Sequence, residues 1–342
     1  MNLNSLFYSM IFMIFLSPFG HSQVDFDNYS TLMSKGPIPE DFTKETYNKL
    51  AEDLKTDRAN LSNSQEKIFF EGTNYAIDEI LHSGVVIYGD EISNYISEIA
   101  DRLLQKEGDL RSKLRFYTIK SNSANAFSTD QGIVFVTTGL IAQLTSEAQL
   151  AYILAHEIAH YTEKHVVETF DWKTKNGRQN DRIERLSQYS KDKEFEADKI
   201  GIHMYNEAGY SVDEIFSTFD VLMYSYLPFD EIEFPFTYFN SSKIFIPTSL
   251  FPTKKYEIKA EEDFDDEFSS HPNIKKRKEA AEMEIGTISN WENTTQFLGD
   301  DRFHLVRNIA RFESVRSDII DASYGNAIYS VFLLEKDFPN RT

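Results

Sequence analysis

The hydrophobic pattern divides the chain into stretches of different period. From Gln23 to His82 apolar residues recur every three or four positions, as in "TYNKLAEDLKT" and "EKIFFEGTNYAIDEIL", which predicts helices packed on a larger body. "SGVVIYGD", "KLRFYTIK" and "GIVFVTTG" are short, rich in β-branched and aromatic residues and bounded by turn formers, so they predict strands. "EISNYISEIADRLLQKE" returns to a helical period. The run "LAYILAHEIAHYTEKH" contains no Gly or Pro and follows Ser146 and Gln149, whose spacing is that of a capping box. A second long helix is expected over 181–208, stopped at Gly209. Residues 220–252 crowd Phe and Tyr between Pro228, Pro235 and Pro247; such a stretch forms an irregular layer over the core or roofs a cleft. After the acidic run "EEDFDDEF", Pro272 opens another helix, and the final portion predicts two more that look like half of a tetratricopeptide unit. The expected fold class is α+β and mostly helical, with a small β-sheet beside one long helix and helical additions at both ends.

Charge narrows the partners. The chain of 342 residues has 35 Lys and Arg against 55 Asp and Glu, a net charge of −20. The acidic residues are spread along the chain, which argues against nucleic acid or an anionic lipid surface as the main partner. The start, "MNLNSLFYSMIFMIFLSPFGHSQ", holds roughly eleven apolar residues from Leu6 to Leu16, then Pro18, Gly20 and Ser22. A spanning helix needs about twenty, so a signal peptide over 1–22, cleaved after Ser22, is expected, with an uncleaved membrane anchor as the alternative. The chain has no cysteine, so neither disulfides nor thiolate ligands are open to it. The expectation is an exported protein, periplasmic or secreted. Its divisions are an N-terminal helical segment over 23–82, a main domain over 83–285 and a helical cap over 286–342.

Within "LAHEIAHYTEKH", His156 and His160 lie four residues apart on a predicted helix and therefore on one face, about a turn from each other. Two neutral imidazole nitrogens at one point suit Zn²⁺. Glu157 projects about 100° round the helix and can reach a water on such a metal as general base. A catalytic zinc needs a third protein ligand and an open position. Residues 163 and 166 are Glu163 and Val166, so the longer pattern that ends in a third histidine is not met. In "KEFEADKIG", Glu194 and Asp198 are again four apart; one of the two can bind metal while the other orients a ligand histidine.

"NAFSTDQGIVFVTTGLIAQLTSEAQLAYILAHEIAHYTEKH", then "EFEADKIG", "AGYS" and "HPNIKKR" occur in that order. With these motifs the chain resembles the secreted and membrane zinc peptidases of the HtpX, BepA-like and CAAX prenyl protease type, peptidase family M48, over roughly Ser83 to Glu284. The resemblance implies a zincin domain of the gluzincin kind over 83–285, with one Zn²⁺ per chain held by His156, His160 and Glu194. Asp198 then supports a ligand, and its four-residue spacing selects Glu194 over Glu196. His271 and Arg277 match the family's H-P-x-x-x-x-R element, so His271 is expected near the metal, as a reversible fourth ligand or as a donor to the transition-state oxyanion. His165, five residues past His160, is expected to stay off the metal and be structural.

Asn125 and Gly132 also match the family's pattern. If "GIVFV" is an exposed edge strand, an extended polypeptide adds to it near Asn125–Val136; otherwise it is a strand paired inside the sheet. The implied activity is a metalloendopeptidase, with polypeptide substrates such as unfolded or misassembled envelope proteins and association with envelope proteins. A zinc-containing, chaperone-like binding protein, its metal site blocked by His271, is the alternative. With a single apolar stretch at its start the chain resembles the exported branch of the family, and its tail is too short for a tetratricopeptide array.

Overall fold

A computed structural model describes residues 24–36, 38–39, 62–176, 182–225, 227, 233–235, 237–250, 254, 260–267 and 271–339. The signal peptide expected at 1–22 lies outside them, as does the "TYNKLAEDLKT" pattern.

Four strands form one mixed sheet: β1 (Val86–Ile87), β2 (Arg115–Ile119), β3 (Ala126–Ser128) and β4 (Ile133–Thr137), in the order β1-β2-β4-β3. β1 is antiparallel to β2, β2 parallel to β4, and β3 antiparallel to β4. Of the two readings of "GIVFV", the strand paired inside the sheet is the one found: β4 is paired on both sides, and among the described residues β1 and β3 are the edges. The physical sign is in its composition. Ile133, Val134, Phe135 and Val136 are all fully buried, and an unbroken apolar run without alternation marks a strand covered on both faces. β3 and β4 join through a tight turn in which Gly132 adopts φ +75° and donates its N–H to the Thr129 carbonyl at 3.1 Å. A Cβ there would sit 2.5 Å from the Lys113 carbonyl oxygen, so glycine is required twice over.

The helices, in chain order, are α1 (Asn63–His82), α2 (Glu91–Leu103), α3 (Gly108–Arg111), α4 (Thr138–Gln143), α5 (Glu147–Thr162), α6 (His165–Asn176), α7 (Arg182–Glu207), α8 (Asp213–Tyr224), α9 (Ile274–Ile285), α10 (Asp300–Ile320) and α11 (Tyr324–Asp337). The chain is thus mostly helical around a small mixed sheet, an α+β arrangement. α5 starts where expected, with a variation on the capping box: Ser146 accepts the Gln149 N–H at 3.2 Å, but the Gln149 side chain accepts from Thr145 rather than from Ser146. Every residue from Glu147 to Ala159 is buried, so α5 is a central helix with no solvent face along most of its length.

α7 packs against α5 more extensively than any other helix does. Their approach is closest at Gly201, where a Cβ would stand 3.1 Å from the His156 backbone nitrogen. A bare Cα at this crossing lets residues one and two turns earlier on α7 reach the side chain of His156. α7 ends before Gly209, which takes φ +85°. At the far end, α10 packs on α4 and on α11. The described part of the aromatic stretch joins that hairpin: Phe234 and Tyr238 set their rings 5.0 and 5.2 Å from Phe332. It forms the irregular layer; among the described residues, Leu222, Met223 and Ser225, within α8 or just past it, line a cleft wall.

Candidate metal centre

On α5, His156 and His160 present their Nε2 atoms 3.0 Å apart. Glu194, from α7, places Oε2 3.5 Å from His156 Nε2 and Oε1 3.5 Å from His160 Nε2. One ligand atom from each of the three lies within 4.8 Å of the others, and among the described residues they are the single such group of three or more acidic or histidine side chains. Two nitrogens and a carboxylate converging this closely fit a tetrahedral zinc site with one position left over. The other ring nitrogens are spoken for. His156 Nδ1 lies 2.9 Å from Asp198 Oδ1, and His160 Nδ1 lies 2.8 Å from His165 Nδ1. Each Nε2 is therefore the nitrogen turned to the shared point, which is how a metal-ligating histidine is normally oriented.

The supporting contacts extend outward. Arg277, on α9, donates Nε and Nη2 to the two oxygens of Asp198 at 2.8 and 2.7 Å, and Tyr152 donates its hydroxyl to Asp198 Oδ1 at 3.2 Å. His165 Nε2 stands 3.2 Å from Glu196 Oε2, and Lys193 binds both Glu196 and Glu168. His165 and Glu196 both lie outside the three-residue group. Sequence reasoning missed that they form a second support, holding His160 as Asp198 holds His156. Tyr152 was legible in principle, since it sits four residues before His156 on the same face. The joining of Arg277 to Asp198 spans 79 residues and left no local trace.

Charge at the centre follows from this packing. Burial draws His156 down, but Asp198 and Glu194 outweigh it and hold the ring up to about 10. Burial and the neighbouring His156 charge push His160 down to about 3. Burial opposes the Glu194 charge, yet its hydrogen bond and attraction to His156 bring it down to about 2. Burial likewise opposes the charge on Asp198, and Arg277 overrides it, keeping the carboxyl below the ordinary range. The two carboxylates thus attract one positive charge to the His156 side of the site, whether a proton or a metal ion. Glu157 is different: burial raises it to about 7, moderated by His156 and by hydrogen bonds from the side chain and backbone of Ser128 on β3.

A cleft of about 730 Å³ opens over these groups, lined by Asn125 and Ala126 beside β3, by His156, Glu157 and Glu194, and by Leu222, Phe264 and His271. His271 stands at its mouth with Nε2 3.6 Å from Glu194 Oε1 and 63% of its side chain exposed. It is outside the three-ligand group. Of the family-matching pair, Asn125 reaches the cleft, whereas Gly132 acts only in the turn.

Fold and centre together define a member of a metallopeptidase family. The chain matches the model of peptidase family M48 over residues 91–174 and 180–285, more than half its length, and belongs to that family. It is similar to the putative beta-barrel assembly-enhancing protease of Vibrio cholerae, 25% identical over 155 residues that cover 37% of this chain and 32% of that relative. The beta-barrel assembly-enhancing protease of Yersinia pestis is 30% identical over 148 residues, 42% of this chain and 29% of the relative. Mitochondrial metalloendopeptidase OMA1 of Schizosaccharomyces pombe is 34% identical over 74 residues, 22% of each chain. The chain spans about a third or less of the length of these curated relatives. Among the described residues no helix is long and apolar enough to cross a membrane.

Proposed function

We propose that this chain is a zinc-dependent metalloendopeptidase of the gluzincin type. The observation that carries the proposal is the convergence of His156 Nε2 and His160 Nε2, 3.0 Å apart, with the two Glu194 oxygens, one 3.5 Å from each nitrogen, and with Glu157 beside them in an open cleft. These three residues hold the zinc. When bound, zinc supplies a Lewis acid that makes a water acidic and polarises a carbonyl oxygen. Glu157, raised to about 7 by burial, takes the proton of the attacking water and returns it to the leaving amine. Asp198 and His165 keep the ligand rings turned. His271, at the mouth, donates to the oxygen on which negative charge develops. An extended polypeptide pairs with the edge strand β3, whose Ser128 already touches Glu157, so that strand and base are aligned to one peptide bond.

The substrates are unfolded or misassembled polypeptides of a cell envelope, and the protein is exported. Support for this comes from the relatives named for beta-barrel assembly and from the apolar stretch at Leu6–Leu16, which lies outside the described residues. An open cleft of about 730 Å³ favours turnover over a blocked binding protein. Cleavage of unfolded casein by zinc-loaded protein, abolished by a chelator, tests the activity. Glu157→Gln is expected to keep its zinc and lose roughly a hundredfold or more in rate, and His156→Ala to lose both. Full activity in Glu157→Gln would end this mechanism.

A further inference from the structure

The metal centre is open on a second side. A groove of about 530 Å³ lies between α1 and α6 and reaches His160, Glu194 and His271, so it shares Glu194 and His271 with the cleft beside β3. The two cavities meet at Glu194 and His271, with His156 on one side and His160 on the other. The groove is apolar along its sides: Phe69 and Phe170 are in ring contact at 5.0 Å, while Ile68 and Val166 remain 63% and 37% exposed. Apolar surface left in water next to a reactive centre is costly unless something covers it.

Gly72 sharpens the case. It sits in the interior of α1, three residues from Phe69 and four from Ile68, and so on the groove face. Glycine inside a helix costs about 1 kcal/mol relative to alanine. Packing does not explain it, because a Cβ at Gly72 would meet nothing within 4 Å. The missing side chain leaves open a position on the groove face between Ile68, Phe69 and Thr73.

We infer that the groove between α1 and α6 is the second half of the substrate cleft, and that it binds an extended apolar segment of the polypeptide on the side of the scissile bond away from β3. This rests on the peptidase proposed above. Substrate selection then requires two elements, a strand-forming stretch that adds to β3 and an apolar stretch that enters the groove. Apolar stretches of this kind are buried in folded proteins and exposed in unfolded ones.

Internally quenched peptides test it, one short and others extended by apolar residues on one side or the other of the cleaved bond. Extension on one side is expected to lower KM about tenfold, the factor from burying an apolar side chain, with kcat little changed. Gly72→Trp fills the groove and should cancel that gain. Gly72→Ala should retain most of the gain and be slightly more stable. Equal KM for short and extended peptides, or an unchanged gain in Gly72→Trp, overturns the groove but leaves the peptidase standing. Absence of any chelator-sensitive, Glu157-dependent cleavage overturns both.

Discussion

The floor of the cleft and its outer wall are built on opposite terms. The floor is α5 and α7, held at a close backbone approach by Gly201, with His156, Glu157, Glu194, Asp198 and Arg277 all buried. His156 and His160 are each oriented by a partner that is itself held in turn, by Arg277 and Tyr152 on one side and by Glu196 on the other. The wall runs from Ala260 through Phe264 to His271, without regular secondary structure in its described residues, and ends on an imidazole that is mostly exposed. Its buried fastening is Asp266, which binds Lys191 on α7, Lys276 on α9 and the Asn273 N–H at 2.7–3.1 Å, while Glu262, Asp263 and Phe264 are tied to Lys278, Lys275 and Asn273. A preorganised floor and a tethered wall are what polymer hydrolysis needs: the reacting groups must not move, while the chain must get in and out.

The largest effect should follow from breaking the floor. Arg277→Leu leaves the Asp198 carboxylate buried without its bidentate partner, a change that costs about 3–5 kcal/mol. Chemical denaturation in the presence of chelator measures it free of metal binding. A loss below about 1 kcal/mol would mean that Asp198 is solvated and the floor is not locked by charge. His165→Phe is milder. It keeps an aromatic ring in a buried position but removes the acceptor for His160 Nδ1, so zinc affinity should fall roughly ten- to a hundredfold with the fold intact. Unchanged zinc affinity would show that only the Asp198 side supports the centre.

The same contrast decides what could be foreseen. His156, Glu157 and His160 are neighbours on one helix, and the spacing of Glu194 to Asp198 repeats their turn, so helical period alone placed them on faces. Where the chemistry depends on contacts between distant segments, period is silent. Glu196 could be put on a different face from Glu194, yet nothing in "EFEADKIG" says that this face meets His165. Whether β4 lies at the edge or inside the sheet stayed open for a related reason: the short stretch Ala126–Ser128 carries little strand signal of its own, and only the turn at Gly132 folds it back as the outer strand. The apolar run "IVFV" carried the deciding signal, since an edge strand exposed on one face alternates and this one does not. The groove at Gly72 was invisible because the N-terminal helical pattern carried no motif, and its role comes from lying across from α6.

The wall's fastening offers the smallest and most selective break. Burial works against the Asp266 charge, but Lys276, the Asn273 N–H and Lys191 bring the carboxyl down to about 2. A carboxylate whose folded value is depressed stabilises fully above its unfolded value near 4, and the contribution is lost as pH falls through the folded value. Asp266→Asn should therefore be less stable by about 1 kcal/mol at pH 7, with the difference shrinking as pH drops from 4 towards 2. A deficit that stays constant over that range would assign the effect to shape rather than charge. Because the substitution touches neither α5 nor the ligands, zinc content should be unchanged, and activity should fall through a raised KM as Phe264 loses its fixed place at the mouth and through a lowered kcat as His271 loses its own. Unchanged KM and kcat would mean instead that Asp266 does not fix the wall, and the division between rigid floor and tethered wall would have to be abandoned.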